Sequence, residues 1–182
     1  MFALWFVVAC SPPLPDGPPP LAPHDDPASA PYPFTPDQIR EANPAGSSWV
    51  FDVTAPDKPV LRRTMTFRDP TPEGAFIRST IGPPAGPPDE ATEAWSNWAE
   101  LQRHAAYPSA ARIGWARVRV PHGRHDCVEY RVETEERTTV ACFDPSLPGP
   151  PVRLEESTAG YPVFVMELVD RQGAGTAASS GS

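Results

Sequence analysis

The sequence predicts an α+β, mostly β domain: a curved antiparallel sheet or incomplete barrel of about seven to nine strands with one or two short helices. Three observations lead there. From Trp49 onward apolar and polar residues alternate, the period of a half-buried strand. Clusters of Pro, Gly, Asp and Asn interrupt the alternation at short intervals. Helix-start chemistry occurs at only two places, and each is soon followed by a stop signal.

The first helix is read at Pro36 to Ala42. Thr35 is its N-cap, Pro36 sits at N1 and Gln38 at N3 completes a capping box. Asn43-Pro44-Ala45-Gly46 ends it. Trp49, Phe51 and Val53 alternate with Val50 and Asp52 as a strand. Leu61, Met65 and Phe67 share one face of the next. Pairing Val53 with Leu61 sets Trp49 opposite Met65, with residues 55–59 as the hairpin loop. A third strand is expected at Ala75 to Ile81, and a weaker fourth just before Trp95. Asn97 and Glu100 repeat the capping-box pattern, so a helix should run from Trp98 to Ala105 and stop before Tyr107-Pro108. Trp98, Leu101 and Ala105 would face the sheet. Strands follow at Ile113 to Val120, His125 to Val132, Thr138 to Phe143, Val152 to Glu156 and Tyr161 to Val169. Thr158-Ala159-Gly160 has the form of a three-residue hairpin loop with Gly160 at positive φ, pairing Leu154 with Phe164 and Val152 with Met166.

Residues 33–171 are therefore read as one domain. The 182 residues include 27 prolines, far above the usual share of about 5%. Many fall between Ser11 and Tyr32, which reads as an extended linker. At about 3.1 Å per residue it would reach roughly 70 Å. Residues 172–182 are small and polar and read as a disordered tail. The net charge of −8, with Lys58 the only lysine, leaves no basic patch and excludes nucleic acid as a partner.

Candidate chemistry is sparse. His122, His125 and Cys127 form a His-x-x-His-x-Cys pattern, but no fourth ligand follows at motif spacing, and Pro121-His122-Gly123 reads as a solvated turn. His104 near a helix C-terminus reads as a capping cation. There is no nucleophile elbow, phosphate loop or dinucleotide fingerprint, so the chain is read as a non-enzyme with no metal and no cofactor. For Cys127 and Cys142 the alternatives stay open. A register pairing Val128, Tyr130 and Val132 with Cys142, Val140 and Thr138 turns Cys127 away. A shift of one residue would oppose the two cysteines but mix the faces.

The N-terminus carries the strongest signal. An apolar run, Phe2 to Ala9, precedes Cys10, Ser11 and the proline-rich stretch. It is too short to span a bilayer as a helix, which takes about 20 apolar residues. Val7-Val8-Ala9-Cys10 resembles the lipobox of bacterial lipoproteins. The resemblance implies that residues 1–9 are the remnant of a cleaved signal and that Cys10 carries the lipid. The run lacks the Lys or Arg of an n-region, which places the expected start upstream of Met1. Ser11 after the cysteine is compatible with outer-membrane sorting.

Further on, Val120-Pro121-His122-Gly123-Arg124-His125-Asp126-Cys127-Val128-Glu129-Tyr130, then Leu147-Pro148-Gly149-Pro150-Pro151-Val152, resemble exported lipoproteins of myxobacteria whose activity is uncharacterised. His125 stands where those carry an aromatic residue. That group is similar, more distantly, to the periplasmic lipoprotein-localisation carriers. The similarity implies a curved sheet over helices with an apolar cavity for acyl chains, and no catalytic residues.

The expectation is a lipoprotein at the periplasmic face of the cell envelope, in the outer rather than the inner membrane and held by its lipid. Its partner would be an apolar small molecule or an envelope protein. Trp49, Phe51, Met65, Tyr130, Phe164 and Met166 recur on period-two faces and form the expected ligand-binding surface. The alternative is a structural or protein-interaction lipoprotein with a filled core.

Overall fold

The computed structural model describes residues 12–23 and 26–173. Cys10, the apolar run before it and the residues beyond 173 lie outside that range. The elements run α1 (Pro36–Ala42), β1 (Ser48–Thr54), β2 (Leu61–Arg68), β3 (Gly74–Gly82), β4 (Glu90–Asn97), α2 (Trp98–Arg103), β5 (Arg112–Val120), β6 (Gly123–Glu133), β7 (Thr138–Phe143), β8 (Arg153–Thr158) and β9 (Tyr161–Gln172).

All nine strands form one open antiparallel sheet in the order β4-β3-β2-β1-β9-β8-β7-β6-β5. Two meanders meet where β9 returns beside β1. The chain leaves the edge strand β4 through α2 and enters the opposite edge strand, β5. α2 packs against α1, and Trp98 and Leu101 turn into the core between helices and sheet.

Local chemistry accounts for the helices. Thr35 and Gln38 make the reciprocal capping box of α1, satisfying two otherwise orphaned backbone donors. α2 is shorter than expected and ends at Arg103, with His104 as its C-cap. Asn97 caps Glu100 N–H at 2.7 Å, but the Glu100 carboxylate accepts from Ser96 Oγ at 3.1 Å. Only half of that capping box therefore forms.

The β1–β2 register is the expected one, with Val53 opposite Leu61 and Trp49 opposite Met65. Three expectations need correction. β6 and β7 pair Val128 with Phe143, Glu129 with Cys142 and Tyr130 with Ala141, one residue from the expected register. Cys127 and Cys142 remain free thiols. β8 and β9 pair Leu154 with Met166 and Glu156 with Phe164, with a register shift next to Ser157. The hairpin loop is thus Ala159-Gly160 alone, and both residues have positive φ, 51° and 82°. That is the two-residue geometry whose twist matches the flanking strands. Finally, the packed region begins well before Phe34. Ala22, Ala30 and Tyr32 are buried, Ala22 bridges to Tyr32 and Ser29 to Pro108, and Tyr130 Oη donates to the Pro31 carbonyl at 2.6 Å. Leu21 also packs on the core. The segment also lies along β5, where Arg117 donates to the Pro12 and Pro13 carbonyls and Trp115 Nε1 to the Gly17 carbonyl at 3.0 Å.

Positive φ disfavours a Cβ-bearing residue, so the β8–β9 hairpin is directly testable. Gly160→Ala should lower stability by about 1 kcal/mol. Ala159→Asn should raise it by about 0.5 kcal/mol, because Asn-Gly suits this turn best. Urea unfolding midpoints of the two variants should move in opposite directions.

Candidate functional site

The inner face of the sheet is built from alternate residues: Trp49, Phe51 and Val53 on β1, Met65 and Phe67 on β2, Met166 and Leu168 on β9. Most of it is sealed. Trp49, Phe51 and Tyr130 are 0% exposed, packed by the protein's own side chains. Trp49 and Phe51 stack with rings 3° from parallel. Tyr130 stacks on Tyr107 at 5.0 Å and meets Phe143 edge-on at 5.6 Å. These three residues, expected on an open binding surface, instead form the packed floor. Phe164 is half-buried against the core and does not line the gap between helices and sheet.

A gap of about 260 Å³ remains between the helices and the sheet. Its floor is Met65, Phe67, Leu154 and Met166, so Met65 and Met166 are the two expected residues that the fold places at a cavity. Ile39 on α1 and Leu101 and Gln102 on α2 form the roof. His104, Ala105 and Tyr107 follow from the segment after α2. Pro33 and Phe34 close one side, and Gly149, Pro150 and Pro151 another. Phe143 and Arg63 complete the wall. Sequence reasoning placed Leu101 over the sheet but missed the non-regular walls. Proline and tyrosine in a segment without periodicity carry no signal of which surface they cover.

The wall is anchored by one buried side chain. Asn43, at the C-cap of α1, is 0% exposed. Its Nδ2 donates to Ile39 O at 2.7 Å and Pro148 O at 3.0 Å. Its Oδ1 accepts from Trp49 Nε1 at 2.7 Å and Arg171 Nη2 at 3.3 Å. Arg171 also donates to Ala42 O at 2.6 Å and lies over the Trp49 ring, 4.7 Å from its centroid; burial lowers its pKa. A Cβ on Gly149 would come within 2.6 Å of the Trp49 ring, so only glycine lets that loop settle there. The Leu-Pro-Gly-Pro-Pro-Val segment is thus a packing device.

The His-x-x-His-x-Cys pattern resolves differently from a solvated turn. His122 is exposed but His125 is buried. Their rings meet at 3.2 Å between Nδ1 and Nε2, and His125 Nδ1 lies 2.7 Å from Asp144 Oδ2. Asp144 Oδ1 accepts from Ser146 N at 2.8 Å and Ser146 Oγ at 2.7 Å. The cluster ties the β6 turn to the β7–β8 loop. Among the described residues no group of three or more His, Cys, Asp or Glu is placed to hold a metal ion. The Cys127 thiol is pushed up by its hydrogen bond to Cys142 and then by burial, which keeps it protonated and unreactive.

No protein-family model, curated protein or solved structure matches the chain. Among the described residues no helix is long and apolar enough to cross a membrane.

Two predictions follow from the wall. Asn43→Leu would orphan the Trp49 N–H and the Pro148 carbonyl and should cost about 3 kcal/mol or more; a loss below about 1 kcal/mol in urea unfolding would contradict the hub. Burial, with a smaller push from Cys142, raises Tyr107 to about 12 from an ordinary value near 10. The folded state therefore holds that proton over a window in which the unfolded state has lost it. Stability should be intact below pH of about 10 and fall as pH rises towards about 12. Tyr107→Phe should flatten that fall in unfolding midpoints measured across the window.

Proposed function

We propose that the protein is an exported lipoprotein, held by lipid on Cys10 at the periplasmic face of the outer membrane, that binds a small apolar ligand or acyl chain between its helices and sheet. The observation that carries the binding reading is the cavity of about 260 Å³ walled by Met65, Phe67, Leu101, Leu154 and Met166. Ligand sites are characteristically apolar concavities with a few convergent polar groups, and Arg63, Gln102 and His104 supply such groups here. The lipobox-like Val7-Val8-Ala9-Cys10 supports the anchor. The reading includes no catalytic step.

A second reading is a structural or protein-interaction envelope lipoprotein. Full burial of Trp49, Phe51 and Tyr130 favours it. So do Phe76 and Trp95, cross-strand partners on β3 and β4 that are 41% and 47% exposed at one sheet edge.

Expression with upstream codons should yield a membrane-bound mature protein whose mass fits cleavage before Cys10 plus diacylglycerol and an acyl chain. The Cys10→Ser chain should be soluble and unprocessed at that site. Titrated with a fluorescent fatty acid, Cys10→Ser protein should saturate with one equivalent. Met166→Trp, which fills the floor, should abolish that binding. Absence of binding by the parent would leave the interaction reading.

A further inference from the structure

We infer that the cavity takes a single-chain anionic amphiphile of medium length, with Arg63 as the counter-charge for its head group. This rests on the apolar-ligand reading above and names the ligand class for that site.

The argument begins with a charge imbalance. The wall contains one permanent cation, Arg63, and one ionisable base, His104, and no Asp or Glu. Yet the chain as a whole carries 23 acidic and 15 basic residues. Several arginines of the sheet find carboxylates, Arg62 with Asp52, Arg117 with Asp126 and Arg153 with Glu155 and Glu167, while Arg78, Arg119 and Arg171 form no ion pair among the described residues and stand outside the cavity wall. Arg63 forms no ion pair among the described residues. Its Nε donates to the neutral Ser79 Oγ at 3.2 Å.

What sets Arg63 apart is its place in the cavity wall. Arg63 shares the inner alternation of β2 with Met65 and Phe67, and its cross-strand partners are Phe51 and Ile81. It is half-buried. A guanidinium in apolar surroundings is costly unless an anion compensates it, and its planar fork matches a carboxylate or phosphate oxygen pair. Helix and sheet residues that would ordinarily provide that anion are absent from the wall. An incoming ligand can supply it.

Size sets the chain length. A space of about 260 Å³ is about nine water-sized volumes, room for roughly eight to ten carbons. The thioethers of Met65 and Met166 on the floor adapt readily to a flexible chain.

The test compares head groups on one tail. Full-length protein carrying Cys10→Ser, so that no attached lipid competes, is titrated calorimetrically with decanoate, decanol and decyltrimethylammonium below their micelle concentrations. Decanoate should bind about tenfold tighter than decanol or better, and the cation should bind weakest. Arg63→Gln should remove the decanoate advantage while leaving decanol affinity within about twofold. Arg63→Lys should retain part of it. Equal affinity for decanoate and decanol overturns the anion inference and leaves the apolar-ligand reading standing. Binding of none of the three overturns both. Should Arg63→Gln fail to fold, the head-group comparison on the parent chain still decides.

Discussion

The buried amide of Asn43 is the interaction on which the rest of this architecture depends. An asparagine side chain offers two donors and an acceptor oxygen with two lone pairs, and all four positions are used here. Through them the end of α1, strand β1, strand β9 and the loop before β8 are tied to one point. The geometry needs a bulge: Val50 pairs with Asp170 but Phe51 pairs with Leu168. The extra residue, Val169, reverses the alternation of β9. Arg171 consequently reaches the side of the sheet where Trp49 lies. A fully satisfied buried network specifies one arrangement strongly, because every alternative strands a polar group in a low-dielectric interior.

The sheet is wider than its helices can cover. α2 spans six residues and α1 seven, so non-regular chain completes the roof. Proline suits that task because it has no N–H to leave unsatisfied when its ring is pressed against apolar surface. Pro33, Pro150 and Pro151 all stand in the cavity wall. Part of the proline excess is therefore cover for the sheet. Cover of this kind seals the floor under Trp49, Phe51 and Tyr130 yet stops short over Met65 and Met166.

Some of this was legible in the residues. The β1–β2 register could be read because a five-residue loop and a clean inner face at Trp49, Phe51, Met65 and Phe67 agree on one alignment. The β6–β7 register could not. Cys127 and Cys142 are as buried as Val128 and Tyr130, so both faces of those strands are covered and alternation no longer distinguishes inside from outside. In the β8–β9 hairpin a bulge absorbed one residue, and the loop tightened to Ala159-Gly160. The buried alanines and Tyr32 in the proline-rich segment gave no periodic sign that they would dock.

The cavity separates the two levels most clearly. Period-two alternation put Met65 and Met166 on an inner face, and capping residues put helices at Thr35 and Asn97, because both depend on neighbours a few positions away. Whether a given inner residue would meet another side chain or empty space depended on segments far along the chain: Pro33-Phe34, Tyr107 and Gly149-Pro150-Pro151. Arg63 follows the same rule. Its place in the strand was set by local alternation, but its lack of a carboxylate partner among the described residues emerged only when distant strands and loops closed around it. Sequence alone determined the strands, caps and inner face through short-range periodicity; tertiary packing decided which part of that face stayed open and what charge it kept.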